Sequence, residues 1–334
     1  MLLTITLLTK NSEVTVRYAL ASIYRQRIPS NLMFELIVVD GYSTDSTLNI
    51  VSEAIHRLRS KFSHQFIRDI IIQERIGVGY ARNLALKEAQ GNWILWLDSD
   101  NILSPDYVSK AYERIKSLSK DVAVIYPERV IPLYSVRSLA QRALMHYLLC
   151  SKIKTTTYSK FIRGIKYTAM QGTLCRTEHL HEIGGFNILL PAAEDIDVFI
   201  RLVNKGYTMK SFSSTLYFFV RSNLKLWFKQ AMYWGYGQYL LSYLHQESVL
   251  ETRDPDLYRK VSVASIKALK NSLKMMSYAT QISKDVPSIV LIPLLYIYRR
   301  LGYLIGWKYA QKHIRNVLLY HNQIAPNYDI KGVS

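Results

Sequence analysis

The chain has 334 residues, 43 Lys and Arg against 25 Asp and Glu, a net charge of +18, and a 49% hydrophobic composition with only 14 Gly and 9 Pro. That balance excludes a disordered, collagenous or low-complexity protein and allows one large domain or two, each able to bury a core. Cys150 and Cys175 are the only cysteines, which excludes a disulfide framework or a four-cysteine zinc site; the chain reads as intracellular and reduced.

The first 125 residues alternate short apolar runs with amphipathic stretches of helical period. The apolar start lacks a basic n-region and a small-residue cleavage site, so it reads as a first buried strand over 2–8 and not as a secretory signal. A helix is predicted over 12–27, a strand over 34–40 (FELIVVD) and a helix over 44–61. The unit repeats as strand 66–73, helix 78–90, strand 93–98 and helix 104–118. Such alternation implies parallel strands joined by right-handed crossovers, with ligands beyond the strands' carboxyl ends. Asp40, Asp98 and Asp100 fall at those ends.

From 127 to about 168 the pattern loosens into a basic connector with one helix over 138–149. A strand near 169–175, a helix near 194–205 and strands around 207–220 complete a mixed sheet. Beyond 222 the segments 223–247, 256–280 and 287–319 are helical in period and rich in Tyr, Trp, Leu and Lys. The expected domains are therefore 1–222 and 223–334. Residues 211–334 carry 16 basic and 6 acidic side chains, so the basic excess belongs mainly to that last third. No uncharged apolar run reaches the ~18 residues of a spanning helix; the run from 286 to 298 is closed by Arg299 and Arg300.

Three motifs in the first half carry chemistry. WILWLDSDN ends a buried strand with Asp98 and Asp100, hard oxygen ligands that suit Mg²⁺ or Mn²⁺ against a diphosphate. An Asp-x-Asp pair alone is a weak signal, since Asp195/Asp197 and Asp254/Asp256 repeat it. VVDGYSTDST places Asp40 at a strand end before a turn in which Ser43 or Thr44 is the natural helix cap, a role that does not account for Asp40. ERIGVGYARNLAL opens the next helix, where backbone N–H groups and Arg82 suit an anion. It lacks the third glycine of a dinucleotide fingerprint and the Lys-Ser/Thr of a P-loop.

The ordered set TLLTKN, VVDGYSTDST, ERIGVGYARNLAL, WILWLDSDN, GGFNILLPAAEDIDVFIRLVNKGY and FKQAMYWGYGQY resembles the inverting glycosyltransferases of family 2, over roughly residues 2–240. The resemblance implies an α/β GT-A fold, Rossmann-like, with a mixed, mostly parallel sheet, helices on both faces and a C-terminal helical region. It implies donor binding by Thr9, Asn11, Asp40, Asp45, Arg82, Asp98 and Asp100, with Asp40 by the nucleotide base, Asp45 holding the turn after it and Arg82 near the diphosphate. Asp98 and Asp100 match the family's DxD, touching ribose and metal, and Asp195 matches the catalytic base. Gln171, Gly172, Glu194 and Trp234 fall on the acceptor side.

Two departures from the family pattern stand out. Thr9-Lys10-Asn11 replaces the commoner Pro-x-Tyr-Asn, and no His follows the last sheet strand as a further metal ligand. Either the metal is held by Asp100, diphosphate and water, or Arg221 supplies positive charge in its place.

The expected activity is metal-dependent transfer of a sugar from a nucleoside diphosphate sugar to a hydroxyl of a lipid or lipid-linked saccharide, with Mg²⁺ or Mn²⁺ as cofactor. The expected location is the cytoplasm, peripheral on the anionic inner face of the cell membrane. A polyprenyl-phosphate sugar synthase is the neighbouring reading, although an anionic acceptor needs no base such as Asp195. A nucleic-acid-binding protein would explain the charge but not carboxylates clustered at strand ends, where phosphates are repelled; nucleic acid is not an expected partner.

Overall fold

The structure, a computed structural model, describes residues 1–133, 139–153, 160–162, 165–167, 169–220, 223–245, 273–277, 279–281 and 284–324. The chain divides into two compact units. The first takes Met1–Leu133, Gly164–Asn187 and Asp195–Val220; the second takes Tyr134–Arg163, Ile188–Glu194 and Arg221–Ser334.

In chain order the elements begin β1 (Leu2–Thr9), α1 (Val16–Tyr24), β2 (Met33–Asp40), α2 (Thr47–Lys61), β3 (Phe66–Gln73), α3 (Val78–Glu88), β4 (Trp93–Asp98), β5 (Asn101–Leu103), α4 (Tyr107–Lys116) and β6 (Val122–Leu133). They continue with α5 (Leu139–Ile153), β7 (Lys160–Ile162), β8 (Ile165–Tyr167), β9 (Leu174–Arg176), α6 (Thr177–Glu182), α7 (Glu194–Asn204), β10 (Thr208–Phe219), α8 (Leu224–Leu244), α9 (Val286–Val290) and α10 (Ile292–Ile324).

Eight strands of the first unit form one sheet in the order β3-β2-β1-β4-β9-β6-β10-β5. β1 runs parallel to β2 and β4, β2 to β3, and β6 to β10; β9 lies antiparallel between β4 and β6, and β5 antiparallel to β10. On one face Leu3, Ile5 and Leu7, Phe34, Leu36 and Val38, and Trp93, Leu95 and Leu97 join Leu20 of α1, Ile55 of α2 and Val108 of α4 in a single core. Ala81, Ala85 and Leu86 of α3 are buried as well. Coverage on both faces is why β2 is a near-continuous apolar run. Its one charge, Glu35, is buried and satisfied: it accepts from the Thr4 hydroxyl (2.5 Å), the Gln90 N–H (2.7 Å) and Arg68 Nε (2.6 Å).

The structure moves several predicted boundaries. The sequence reading stops the regular pattern at Pro127, whereas β6 continues through Pro127 and Pro132 to Leu133, paired with β10 across register shifts. The strand expected from 169 begins only at Leu174, because 170–173 turn: the Thr173 N–H and hydroxyl both donate to the Met170 carbonyl (2.9 and 2.7 Å). The predicted helix over 256–280 lies largely outside the described residues; within it, 273–277 and 279–280 are helical.

In the second unit α8 and α10 meet through glycine. A Cβ on Gly235 would stand 1.9 Å from the Tyr303 carbonyl oxygen, and one on Gly306 1.9 Å from that of Met232. α5 is tied to α9 and the residue before it by Arg142 to Asp285 (2.6 Å) and by His146 Nδ1 to the Ser288 hydroxyl (2.7 Å). Arg299, expected to close the apolar run, instead continues the helix, with its guanidinium over the rings of Trp234 (4.7 Å) and Trp227 (5.5 Å). The stretch Val286–Ile314 is consequently long and apolar enough to cross a membrane by length and composition, a property shared with core helices of soluble proteins.

Candidate active site at the carboxyl edge of the sheet

Register brings the predicted residues into one row. Thr9 lies opposite Asp40, Asp40 opposite Gln73, and Leu8 opposite Asp98, so Asp40 and Asp98 flank β1, two strand spacings or about 10 Å apart. Beyond these ends the chain is cross-linked. The Asn11 N–H donates to Ser43 Oγ (2.8 Å), and Asn11 Oδ1 accepts the Thr44 N–H (2.8 Å). The Glu13 N–H donates to Asp45 Oδ2 (3.1 Å), and Glu13 Oε2 accepts the Ser46 N–H (3.1 Å). These bonds use up residues 11–13 and 43–46, which is why α1 and α2 start at Val16 and Thr47, later than periodicity predicts. Ser43 and Thr44 therefore do not cap α2; Asp45 Oδ1 takes the Thr47 N–H (3.0 Å) and hydroxyl (2.5 Å).

Asp40 is fully buried. It accepts from the Thr9 hydroxyl (2.8 Å), the Ser43 N–H (2.8 Å) and hydroxyl (2.6 Å), and Gln73 Nε2 (3.3 Å). Burial raises its pKa, but the Ser43, Thr9 and Gln73 hydrogen bonds together outweigh it and hold the carboxyl below its ordinary value. Asp40 is thus an ionised strut that shapes the turn.

At the end of β4 the buried Asn101 orders the acidic turn: its Oδ1 accepts the Asp98 N–H (3.0 Å) and its Nδ2 donates to Asp100 Oδ1 (2.9 Å). The Phe219 N–H donates to the Asp100 carbonyl (2.8 Å), so β10 ends against the same turn. The Asp98 side chain keeps 38% exposure, and Arg82 of α3, almost fully buried, brings Nη2 within 3.7 Å of Asp98 Oδ1. Arg221 lies outside the described residues.

Asp195 sits in the first turn of α7. Its Oδ1 accepts the Ile196 N–H (2.8 Å) and its Oδ2 the Met170 N–H (3.3 Å). The 170–173 turn is bonded to β4 by the Gly172 N–H to the Trp96 carbonyl (2.7 Å) and by the Trp96 N–H to the Thr173 carbonyl (2.9 Å). Asp195 is therefore tethered, through the turn that holds Gln171 and Gly172, to the strand that ends in Asp98. Gly172 has φ +71, and a Cβ there would meet Leu216 Cδ2 at 2.8 Å and the Tyr107 hydroxyl at 2.9 Å. Glu194 is buried beside Asp195 in sequence, and Trp234 belongs to the second unit, on α8. Asp197, the second member of its Asp-x-Asp, is taken by Arg201 (2.5 Å), which also donates to the carbonyls of Ile183 (2.5 Å) and Gly185 (2.6 Å). Asp254 and Asp256 lie outside the described residues. Burial pushes the Cys175 thiol up to about 12, so it is inert.

Sequence reasoning missed four side chains. Glu13 braces the α2 turn; Asn83 donates to the Phe186 carbonyl (2.8 Å) and accepts its N–H (2.7 Å), locking the GGF loop to α3. Tyr42 and Arg75 pair, the guanidinium 4.1 Å from the ring centroid. The non-glycine residues with positive φ among the described residues are Asn11 (+46) and Tyr42 (+55) in the first unit and Ala193 (+68) in the second, and such strain concentrates at functional sites.

The chain is 35% identical over 117 residues to the poly(ribitol-phosphate) beta-N-acetylglucosaminyltransferase TarS of Staphylococcus aureus, a match covering 35% of this chain and 19% of the relative. It is 33% identical over 114 residues to the glycosyltransferase GlyA of Streptococcus pneumoniae, covering 34% of this chain and 15% of that one. The matches thus span less than a fifth of either relative. Among solved structures, the mannosyltransferase PcManGT of Pyrobaculum calidifontis, in complex with GDP-Man and Mn²⁺, superposes with a TM-score of 0.56 at 18% identity, covering 90% of this chain and 86% of that one, and shares its GT-A fold. The family model of glycosyl transferase family 2 matches residues 4–182, more than half of the chain, which therefore belongs to glycosyl transferase family 2.

Proposed function

We propose that the protein is an inverting glycosyltransferase that moves a sugar from a nucleoside diphosphate sugar to a hydroxyl of a lipid or lipid-linked saccharide at the cytoplasmic membrane surface. The observation that carries this reading is the carboxyl-edge row, with Arg82 beside Asp98 and Asp195 tethered to the same strand. Inversion needs a base on the acceptor side and charge stabilisation on the leaving side. Asp195, with one oxygen on a loop N–H and the other in the first turn of its own helix, would take the proton of the attacking hydroxyl. Arg82 and the N-terminus of α3 would stabilise the departing diphosphate.

A divalent cation fits the residues present. Among the described residues no three His, Cys, Asp or Glu side chains gather into a metal cage. Asp98 and Asp100 nonetheless offer hard oxygen donors at the sheet edge, the donor set of a cation that takes the rest of its shell from phosphate and water. Such a cation, when bound, would neutralise diphosphate charge. PcManGT is described with both GDP-Man and Mn²⁺, which supports the donor class; TarS is named for adding N-acetylglucosamine in β linkage to poly(ribitol-phosphate), which supports a hydroxyl-bearing polymer or its precursor as acceptor.

The membrane part of the reading rests on charge: residues 286–328 contain no Asp or Glu, but include Arg299, Arg300, Lys308, Lys312 and Arg315.

A thermal-shift panel of UDP- and GDP-sugars with Mg²⁺ or Mn²⁺ tests the proposal. The true donor at 100 times its dissociation constant adds ~2.7 kcal/mol of stability, and a chelator removes most of that gain. Absence of a shift with every nucleotide sugar would refute donor binding; a shift that survives chelation would leave Arg82 and other cations to do the work without metal.

A further inference from the structure

In the second unit α5, α8 and α10 surround a cation. Arg299 of α10 is half-buried, and its guanidinium stands over the rings of Trp234 (4.7 Å), Trp227 (5.5 Å) and Tyr147 (5.7 Å). Tyr147 and Trp227 are buried, whereas Trp234 is 40% exposed, so the cage has an apolar floor and an exposed rim.

The charge in this cage is not matched within the unit. Its acids, among the described residues, are Glu194 and Asp285, and Arg142 holds Asp285 at 2.6 Å. Arg299 has no carboxylate partner among the described residues, and its hydrogen bond there goes to the Tyr147 hydroxyl (3.4 Å). A guanidinium carries several N–H donors in a fixed fork, and none of those on Arg299 is sealed from solvent without a partner. They remain available to a ligand.

The position is also an unusual one for a cation. Arg299 lies within Val286–Ile314, the stretch long and apolar enough to enter a bilayer, on a helix that exposes Leu294, Leu301 and Ile305. An arginine in such a stretch is costly unless it is paired, and by default it marks a functional site. The anion that a guanidinium fork matches best at a bilayer is phosphate, which it can hold by two parallel hydrogen bonds. The stacked rings fix the plane of the fork and keep water from its faces.

We infer that Arg299, in its cage of Tyr147, Trp227 and Trp234, binds the phosphate of a lipid-anchored acceptor. The inference rests on the lipid-acceptor reading above and adds to it the group that is recognised. A bulk phospholipid headgroup offers similar chemistry, and the test separates the two.

The test uses the full chain and phosphatidylcholine vesicles that carry equal mole fractions of farnesyl phosphate, farnesol or phosphatidylglycerol, with association read by sedimentation. The parent is expected to bind the farnesyl phosphate vesicles most tightly. In Arg299→Gln that affinity should fall by about 10- to 100-fold, the range for a lost hydrogen bond to a charged partner, while association with phosphatidylglycerol stays within about twofold of the parent's. Arg299→Lys keeps the charge but loses the fork and should fall between the two. A second measurement needs no substitution and stays decisive if Arg299→Gln loses stability: in the parent, farnesyl phosphate but not farnesol should slow the modification of Arg299 by phenylglyoxal, followed by mass spectrometry. Equal binding of farnesyl phosphate and farnesol, equal losses for farnesyl phosphate and phosphatidylglycerol in Arg299→Gln, or labelling of Arg299 that farnesyl phosphate does not slow overturns the phosphate site and leaves membrane association intact. A parent that sediments with none of the vesicles overturns the site and the lipid-acceptor reading together.

Discussion

Replacing Asp195 by Asn keeps the side chain's shape and its acceptance of the Met170 N–H but removes its capacity to take up a proton. If Asp195 is the base, turnover in Asp195→Asn falls by roughly 10² to 10⁴ while donor affinity stays nearly unchanged. A steady-state assay of nucleoside diphosphate release checks this; near-normal turnover would remove Asp195 from the mechanism. Asp40 behaves differently, because its four donors occupy it inside the protein. Its effect on a ligand is exerted through the turn it holds. The residue types at both positions were legible in the sequence, as acids at a strand end and a helix start. Their hydrogen-bond partners were not, since the donors to Asp40 and to Asp195 arrive in part from other strands and loops.

Among the elements, α8 and α10 show a packing solution that periodicity alone describes poorly. Their apolar residues lie all round the helix, and the contact is set by Gly235, Gly302 and Gly306, where the Cβ of another residue would collide with the backbone or side chains of the facing helix. Two opposed expectations follow for Gly306→Ala. Helix propensity alone favours alanine by ~1 kcal/mol, whereas overpacking against the Met232 carbonyl costs ~1–3 kcal/mol. Close packing predicts net destabilisation, read as a lower denaturation midpoint at unchanged slope; a higher midpoint would mean that the helices do not touch there. In Trp234-Gly235-Tyr236-Gly237 both glycines are positions of close backbone approach. A Cβ on Gly237 would meet the Ala192 carbonyl oxygen at 2.1 Å. The same logic explains the GGF loop, where a Cβ on Gly185 would stand 2.5 Å from Asn83 Oδ1, the atom that receives the Phe186 N–H.

For the whole molecule, the +18 net charge and the exposed apolar face of α9 and α10, with Val286, Val290, Leu294, Leu301 and Ile305, bear on location. Lys308 and Lys312 continue that exposed face. Interfacial helices combine these features, apolar residues in the acyl boundary and cations toward anionic headgroups. At ~1 kcal/mol per basic residue near an anionic surface, the double variant Lys308→Gln, Lys312→Gln should lose about tenfold or more in partitioning. Flotation with phosphatidylglycerol vesicles is expected to carry the parent at low salt and release much of it at high salt. Retention through high salt and alkaline washing would indicate a spanning helix, and no flotation at low salt would remove the membrane from the proposal.

Apart from the short β5 (Asn101–Leu103), which the sequence reading missed, the order of strands and helices through residue 118 was written in local patterning, because buried β-branched runs and amphipathic periods are properties of neighbouring residues. The acids at the strand ends were visible for the same reason. What only the tertiary structure decided depends on residues far apart in the chain. The Asn11, Glu13 and Asp45 bonds delay both helix starts. β6 runs past two prolines because β10 pairs with it across register shifts. The 170–173 turn delivers Asp195 to the strand of Asp98 through hydrogen bonds across 25 residues and more. Tyr42 takes its strained conformation from Thr9 and Asp40 together. A sequence records propensities along the chain; the donors and acceptors that override them meet only after the sheet has formed.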